Sequence, residues 1–146
     1  NLKEILSVYP DACFIHITRD PVETIPSICS LTAKVRKGFS KDLDRKRLGQ
    51  DTLNFWAKSN DKNEAQRFDL SSNQYVQVQY DDLLDDPVNL IKDIYKNFSI
   101  SLDDRTLSLM KAYIGEDSND AKAEHKYSLE DYGLERREVH NKMNYS

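Results

Sequence analysis

Short apolar runs alternate with polar stretches along the chain and predict a mixture of helices and strands. Residues Leu2–Val8 place their apolar side chains on one side, which predicts the end of a short helix. The run Ala12–Thr18 (ACFIHIT) is almost continuously apolar, as in a strand that is covered on both faces within a parallel sheet. Tyr75–Tyr80 (YVQVQY) alternates in its middle and predicts a second, half-buried strand.

Capping residues mark the predicted helix starts. Asp20 followed by Pro21 predicts an N-cap and a first helical residue, and Asp86-Pro87 repeats this pattern. Ser128–Asp131 has capping-box spacing, with Asp in the place of Glu or Gln. The predicted helices are Pro21–Ala33, Leu48–Phe68, Pro87–Phe98, Asp103–Ile114 and Glu135–Met143, the last loosely docked. A basic loop is predicted at Lys34–Arg47. The side chains expected to be buried are Ile25, Ile28, Leu31, Leu48, Leu53, Trp56, Ala57, Leu109, Met110 and Tyr113.

Composition matters here mainly for what it excludes. The chain has 21 Lys and Arg against 25 Asp and Glu, a formal charge of −4, which argues against general nucleic-acid binding. No apolar run approaches the roughly 20 residues that span a bilayer, so no transmembrane segment is predicted. Cys13 and Cys29 lie in apolar surroundings and are interpreted as buried free thiols. Free thiols favour a reducing compartment, and we expect a cytoplasmic location.

The passage from the first strand into the next helix carries the strongest candidate chemistry. Arg19 directly follows the strand, at the edge where α/β folds bind ligands, and its guanidinium is a planar fork that matches phosphate. The helix start should add free N–H groups and a partial positive charge. Ser27 lies about two helical turns further on, near enough to hold the same anionic group. The alternative is that Asp20 pairs with Arg19 and that Ser27 is a small packing residue.

Three blocks of the chain resemble the sulfotransferase family, in its bacterial form. They are Tyr9–Leu31 (YPDACFIHITRDPVETIPSICSL), Val78–Pro87 (VQYDDLLDDP) and His125–Leu134 (HKYSLEDYGL). The resemblance implies that Arg19 and Ser27 bind the 3′-phosphate of the sulfate donor, 3′-phosphoadenosine 5′-phosphosulfate (PAPS). It also implies that Tyr80 lies near the adenine and that His125 and Lys126 close over the 3′-phosphate. The alternative for His125 and Lys126 is that they lie in a solvated loop.

The chain departs from the family at its beginning. Sulfotransferases have an N-terminal strand, a glycine-containing phosphate loop and a helix that hold the 5′-phosphosulfate, and none of the four glycines here precedes Arg19. We therefore expect an incomplete, helix-rich, P-loop-like α/β fold with a parallel sheet flanked by helices. In this interpretation residues 1–146 are the C-terminal part of a single sulfotransferase domain. The catalytic residues, including the base that usually lies upstream of the arginine, are not assigned.

The resemblance implies transfer of a sulfuryl group from PAPS to an acceptor hydroxyl or amine, without a metal. We expect the fragment given by residues 1–146 to be inactive alone. The expected acceptor is a small molecule or a glycan. Missing strand partners predict exposed sheet edges, and with them either a homodimer or a need for the missing N-terminal half. Two other functions stay open: a non-catalytic helical interaction module, and another P-loop-type nucleotide-binding transferase or kinase. The kinase would need a Gly-Lys-Ser/Thr loop, which the sequence lacks.

Several other residues have an ordinary structural explanation. His16 lies within the apolar strand and is interpreted as a satisfied core histidine, whereas His140 is expected to be exposed on a polar helix. Trp56 has the spacing of a core residue rather than of a substrate platform. A basic cluster could steer an anionic substrate, or be a solvated run balanced by Asp42 and Asp44. It consists of Lys34, Arg36, Lys37, Lys41, Arg45, Lys46 and Arg47.

Overall fold

The structure, a computed structural model, describes residues 2–39, 42–67, 70–117 and 127–144. Within these ranges helices dominate and two strands form a small sheet, so the predicted helix-rich α/β class is confirmed. The elements, in chain order, are α1 (Leu2–Val8), β1 (Phe14–Thr18), α2 (Pro21–Lys37), α3 (Arg45–Arg67), β2 (Tyr75–Gln79), α4 (Tyr80–Asp85), α5 (Pro87–Asn97), α6 (Asp104–Asp117), a 3₁₀ helix (Glu130–Tyr132) and α7 (Arg136–Met143).

The two strands pair in parallel, as predicted. The register runs from Phe14 opposite Tyr75 to Thr18 opposite Gln79, so the carboxyl ends of both strands lie at the same edge of the sheet. The prediction that β1 is covered on both faces is wrong for the described residues, because Ile15 and Ile17 are 52% and 51% exposed. With two strands in the described sheet, each is an edge strand, and the apolar pattern of an interior strand leaves an uncovered face.

The chain divides into two compact units. The first comprises Asn1–Thr18 and Gln66–Glu124, and the second comprises Arg19–Ala65 and His125–Ser146. In the first unit, α5 packs against α4 and α6. Leu109 and Tyr113 of α6 are exposed, against prediction, and Met110 is half-buried. The apolar spacing of α6 therefore identified a helix correctly but not the face that is buried.

The second unit has the denser core. The predicted contributions of Ile25, Leu48 and Leu53 are confirmed, but Leu31 and Trp56 are exposed and were wrongly placed in the core. Half of the core cluster comes from the C-terminal segment, including Val139 of the last helix, which was expected to dock loosely. The cluster consists of Ile25, Cys29, Leu48, Leu53, Leu129, Tyr132, Leu134 and Val139.

The prediction of a loosely docked last helix is wrong. Val139 of α7 is 0% exposed and lies in the core cluster. Beside it, Gln50 Nε2 of α3 donates to Glu138 Oε1 at 3.0 Å. Met143 of the same helix also packs against this cluster, so two apolar side chains and a polar contact hold the short helix.

The predicted helix starts are confirmed at two positions. The Asp20 side chain accepts from the Val22 amide at the start of α2, and the Asp86 side chain accepts from the Asn89 amide at the start of α5. By contrast, α4 was missed. Its N-cap residue, Gln79, makes no side-chain capping bond, so the sequence carries no start signal there.

The stretch predicted as a basic loop, Lys34–Arg47, is helical at both of its ends. Lys34–Lys37 belong to the last turn of α2, where cationic side chains complement the helix dipole. Arg45–Arg47 belong to the first turn of α3, and the Asp44 side chain accepts from the Arg47 amide at 3.0 Å. The predicted basic loop is therefore reduced, among the described residues, to the short segment between the two helices.

The predicted capping box in the C-terminal segment is confirmed. The Ser128 amide donates to Asp131 Oδ2 at 3.0 Å, and the Asp131 amide donates to Ser128 Oγ at 3.3 Å. The 3₁₀ helix that follows brings Tyr132 against α3. A Cβ atom at Gly49 would lie 2.3 Å from the Tyr132 carbonyl oxygen, so only glycine permits this approach.

We expect Gly49→Ala to destabilise the chain by about 1–3 kcal/mol, the usual cost of overpacking a close contact. Gly115→Ala in α6 is the matched control, because nothing lies within 4 Å of its added Cβ. That change should stabilise the chain by about 0.5–1 kcal/mol, since alanine favours a helix. Urea unfolding followed by circular dichroism measures both, and equal effects of the two substitutions would contradict the packing described here.

Candidate functional site

Arg19 connects β1 to α2 and presents its guanidinium at the surface. Its Nε and Nη2 atoms donate to Glu23 Oε2 at 2.9 and 2.6 Å. The side chains are 43% and 57% exposed, so this is a solvent-accessible ion pair between residues one helical turn apart. The alternative pairing of Arg19 with Asp20 is not what the structure has, because Asp20 binds other groups.

Ser27 lies on α2, one turn beyond Glu23. Residues four apart share a face of a helix, so Glu23 holds the guanidinium of Arg19 on the face that also carries Ser27. The Ser27 side chain is half-buried, and its hydroxyl has no hydrogen-bond partner among the described residues. A guanidinium and a hydroxyl therefore occur along one side of α2, with a carboxylate between their positions.

The N-terminal amides of α2 are already occupied, which corrects the expectation of free N–H groups. Pro21 has no amide hydrogen, and the Val22 amide donates to Asp20 Oδ1 at 2.8 Å. The Glu23 and Thr24 amides donate to the Asp20 carbonyl oxygen at 3.0 and 3.1 Å. An anion at this turn would thus be held by side chains rather than by the helix start.

The Asp20 carboxylate joins the start of α2 to α7. Besides the Val22 amide, Oδ1 accepts from His140 Nε2 at 3.1 Å, and Oδ2 lies 3.8 Å from Arg136 Nη1. Partial burial acts to raise the pKa of Asp20. The hydrogen bonds from Val22 and His140, together with the charges of His140 and Arg136, outweigh it and hold that pKa below its usual value. His140 was expected to be exposed, but it is half-buried and hydrogen-bonded.

The other residues implied by the family resemblance lie elsewhere in the chain. Tyr80 is the first residue of α4, directly after β2, and is half-buried in the first unit. His125 and Lys126 lie outside the described residues. His16 is satisfied, as predicted, with its Nδ1 atom 2.5 Å from the Tyr75 hydroxyl.

The basic cluster forms local contacts. The guanidinium of Arg45 lies 5.9 Å from the centre of the Tyr132 ring, and Arg47 lies 3.7 Å from the Asp51 carboxylate. A depression of about 520 Å³ lies beside it, and neither Arg19 nor Ser27 lines it. Its lining includes Arg36, Phe39, Asp42, Asp44, Arg47 and Asp51. This mixture of positive and negative side chains is typical of solvated surface residues rather than of a basic region that steers an anionic substrate.

Metal ligands and cysteines add little to the site. Within the described ranges there is no group of three or more His, Cys, Asp or Glu side chains that could hold a metal ion.

Cys29 is buried, which raises the pKa of its thiol, as predicted for an inert core residue. Cys13 is exposed, against prediction. None of the helices in the described part of the chain is long and apolar enough to cross a bilayer.

Comparison with known proteins connects this local geometry to a family. The profile of the Sulfotransferase family matches residues 1–104. This chain belongs to the sulfotransferase family. The matched region contains Arg19, Ser27 and the Val78–Pro87 block, so the resemblance noted in the sequence is confirmed at the level of the family.

Two solved bacterial sulfotransferases are similar in fold. STF1 from Mycobacterium tuberculosis H37Rv is 28% identical, with a TM-score of 0.82, and the alignment covers 97% of this chain and 36% of that one. STF9 from Mycobacterium avium is 22% identical, with a TM-score of 0.86, and the alignment covers 98% of this chain and 37% of that one. At this identity the similarity shows the fold alone. The chain spans about a third of the length of these structures. Their likeness confirms the P-loop-like fold class, and no curated protein matches the chain.

The lowered pKa of Asp20 predicts a specific acid sensitivity. A carboxyl whose pKa is lower in the folded state contributes stability above its unfolded pKa of about 3.9, and loses it as pH falls through the folded value. Asp20→Asn keeps a capping side chain but removes the charge. We therefore expect the stability difference between wild type and Asp20→Asn to shrink from about pH 6 to about pH 3 in urea unfolding.

Asp93→Asn, on the exposed side of α5, is the control for losing one negative charge. A stability difference for Asp20→Asn that stays constant over the same pH range would show that the Val22 amide, His140 and Arg136 together do not stabilise the ionised carboxyl.

Proposed function

We propose that this chain is the C-terminal part of a single sulfotransferase domain and supplies the side chains that bind the 3′-phosphate of PAPS. The observation that carries the proposal is the pairing of the Arg19 guanidinium with a carboxylate, in solvent, on the face of α2 that also carries Ser27. A guanidinium whose Nε and Nη2 atoms already share one carboxylate oxygen at the surface is suited to exchange it for a phosphate, which carries more charge and more acceptor oxygens.

Each residue in this proposal has a separate role. Arg19 holds phosphate oxygens through two parallel N–H donors, and Ser27 donates its hydroxyl to a third oxygen. Tyr80 lies near the adenine, and His125 and Lys126 close over the 3′-phosphate, as the resemblance implies. Arg19 and Ser27 position the donor and take no part in making or breaking bonds.

The proposed reaction is a direct group transfer. The acceptor hydroxyl or amine attacks the sulfur, the bond from sulfur to the bridging oxygen breaks, and adenosine 3′,5′-bisphosphate leaves with the electron pair. A base takes the acceptor proton, and nearby positive groups balance charge on the bridging oxygen. The base is not among the residues assigned here, and the fragment is proposed to be inactive alone.

The acceptor and the assembly follow from less specific features. A small molecule or a glycan is the proposed acceptor class, and PAPS is the proposed donor. The uncovered apolar face of β1, with Ile15 and Ile17 exposed, supports either a homodimer or association with an N-terminal half.

Titration with adenosine 3′,5′-bisphosphate tests the phosphate assignment. Loss of a bidentate contact to a charged group costs about 2–3 kcal/mol, so Arg19→Ala should weaken binding roughly 30- to 150-fold in calorimetry. Arg137→Ala removes the same charge from an exposed position of α7 and should bind nearly as the wild type does.

Adenosine 5′-monophosphate provides the matched ligand control, since it lacks the 3′-phosphate. The wild type should prefer the bisphosphate, and Arg19→Ala should lose most of that preference. Ser27→Ala should reduce it by about fivefold, the effect of one hydrogen bond. An unchanged preference in Arg19→Ala would falsify the assignment.

A further inference from the structure

We propose that His140 is a positioning residue for the candidate phosphate site, holding the Asp20 carboxylate away from Arg19. The expected effect on donor binding rests on the proposed function. The expected effect on the orientation of the Asp20 carboxylate does not. His140 would not touch the donor. It would act through Asp20, the immediate neighbour of Arg19 in the chain.

Asp20 is a strong internal competitor for Arg19. Its carboxylate is one residue away, and a guanidinium binds carboxylates with the same fork of donors that it offers to phosphate. In the structure this carboxylate instead accepts from His140 Nε2 at 3.1 Å and faces Arg136 at 3.8 Å. Arg19 meanwhile binds Glu23.

The backbone of Asp20 is fixed independently of His140. Its carbonyl oxygen accepts from the Glu23 amide, the Thr24 amide and the Thr24 hydroxyl, at 3.0, 3.1 and 3.0 Å. The Val22 amide, at 2.8 Å, binds only one carboxylate oxygen. What His140 and Arg136 add is therefore a preference for one orientation of a side chain that is 32% exposed.

The helix that carries His140 is held firmly enough for this role. Val139, the preceding residue, is fully buried in the core cluster. Glu138 accepts from Gln50 at 3.0 Å, and Asn144, which caps the end of α7, donates to Asp61 at 3.2 Å. Because these contacts do not involve Asp20, they bring the imidazole to the carboxylate whether or not a donor is bound.

Of the two side chains that face the Asp20 carboxylate from α7, His140 holds it more strongly than Arg136 does. Arg136 is 68% exposed and its nitrogen lies at 3.8 Å, beyond hydrogen-bond distance. The His140 side chain is 30% exposed and lies within that distance. Removing His140 would thus free Asp20 to turn toward Arg19, whereas removing Arg136 would have a smaller effect.

Calorimetric titration with adenosine 3′,5′-bisphosphate tests the inference through a rescue. His140→Ala should weaken binding about 5- to 10-fold, a coupling typical of residues in contact. His140→Gln should bind within about twofold of the wild type, because its amide can donate to Asp20. Adding Asp20→Asn to His140→Ala should restore binding, since asparagine caps α2 but has no negative charge with which to compete for a guanidinium.

A purely structural role predicts the opposite pattern. In that case Asp20→Asn would add to the damage, and the double variant would bind no better than His140→Ala. That outcome, or wild-type affinity in His140→Ala, would overturn the inference. His140→Gln and the double variant keep the test decisive if His140→Ala is poorly folded.

A donor-independent measurement separates this inference from the proposed function. The Arg19 Nε–H resonance should shift in His140→Ala, as Asp20 captures the guanidinium, and should return toward its wild-type position when Asp20→Asn is added. If the wild type does not bind the bisphosphate, the proposed function fails while this shift still supports the inference. An unmoved resonance in His140→Ala would contradict the inference even if the bisphosphate binds.

Discussion

The Asp20 carboxylate is the contact on which the candidate site depends. One oxygen closes the first turn of α2 through the Val22 amide and also accepts from His140, while the other faces Arg136. The same residue separates the end of β1 from Pro21, the first residue of α2. A single carboxylate thus caps the helix at its beginning and contacts the C-terminal helix.

This arrangement changes the way in which the turn could bind an anion. A helix start is usually an anion site because its amides are unsatisfied. Here Pro21 has no amide hydrogen and Asp20 accepts from the amides that follow, so in the proposed site the attraction for an anion comes from the side chains of Arg19 and Ser27. Binding through exposed side chains is more sensitive to salt than binding through buried amides, and Glu23 competes for the same guanidinium.

Local signals in the sequence were reliable wherever neighbouring residues decide the structure. The cap and proline at Asp20 and Asp86, and the reciprocal bonds of Ser128 and Asp131, all form as their spacing predicts. The same reasoning missed α4, whose start has no capping side chain. The same reasoning wrongly placed Leu31 and Trp56 in the core. Apolar spacing shows that a helix has an apolar face, but it does not show which part of that face another segment covers.

The sequence by itself determined the family, the parallel pair of strands and the positions of Arg19 and Ser27 relative to β1 and α2. The positions of Arg19 and Ser27 follow from short motifs, whose interactions stay within a turn or two of the chain. The strands follow from the apolar patterns of two runs that lie far apart in the chain. Only the tertiary structure decided that Asp20 pairs with His140, a residue 120 positions away. The physical reason is that a carboxylate binds whichever donors the folded chain brings to it, and burial of Val139 in the core brings α7 there.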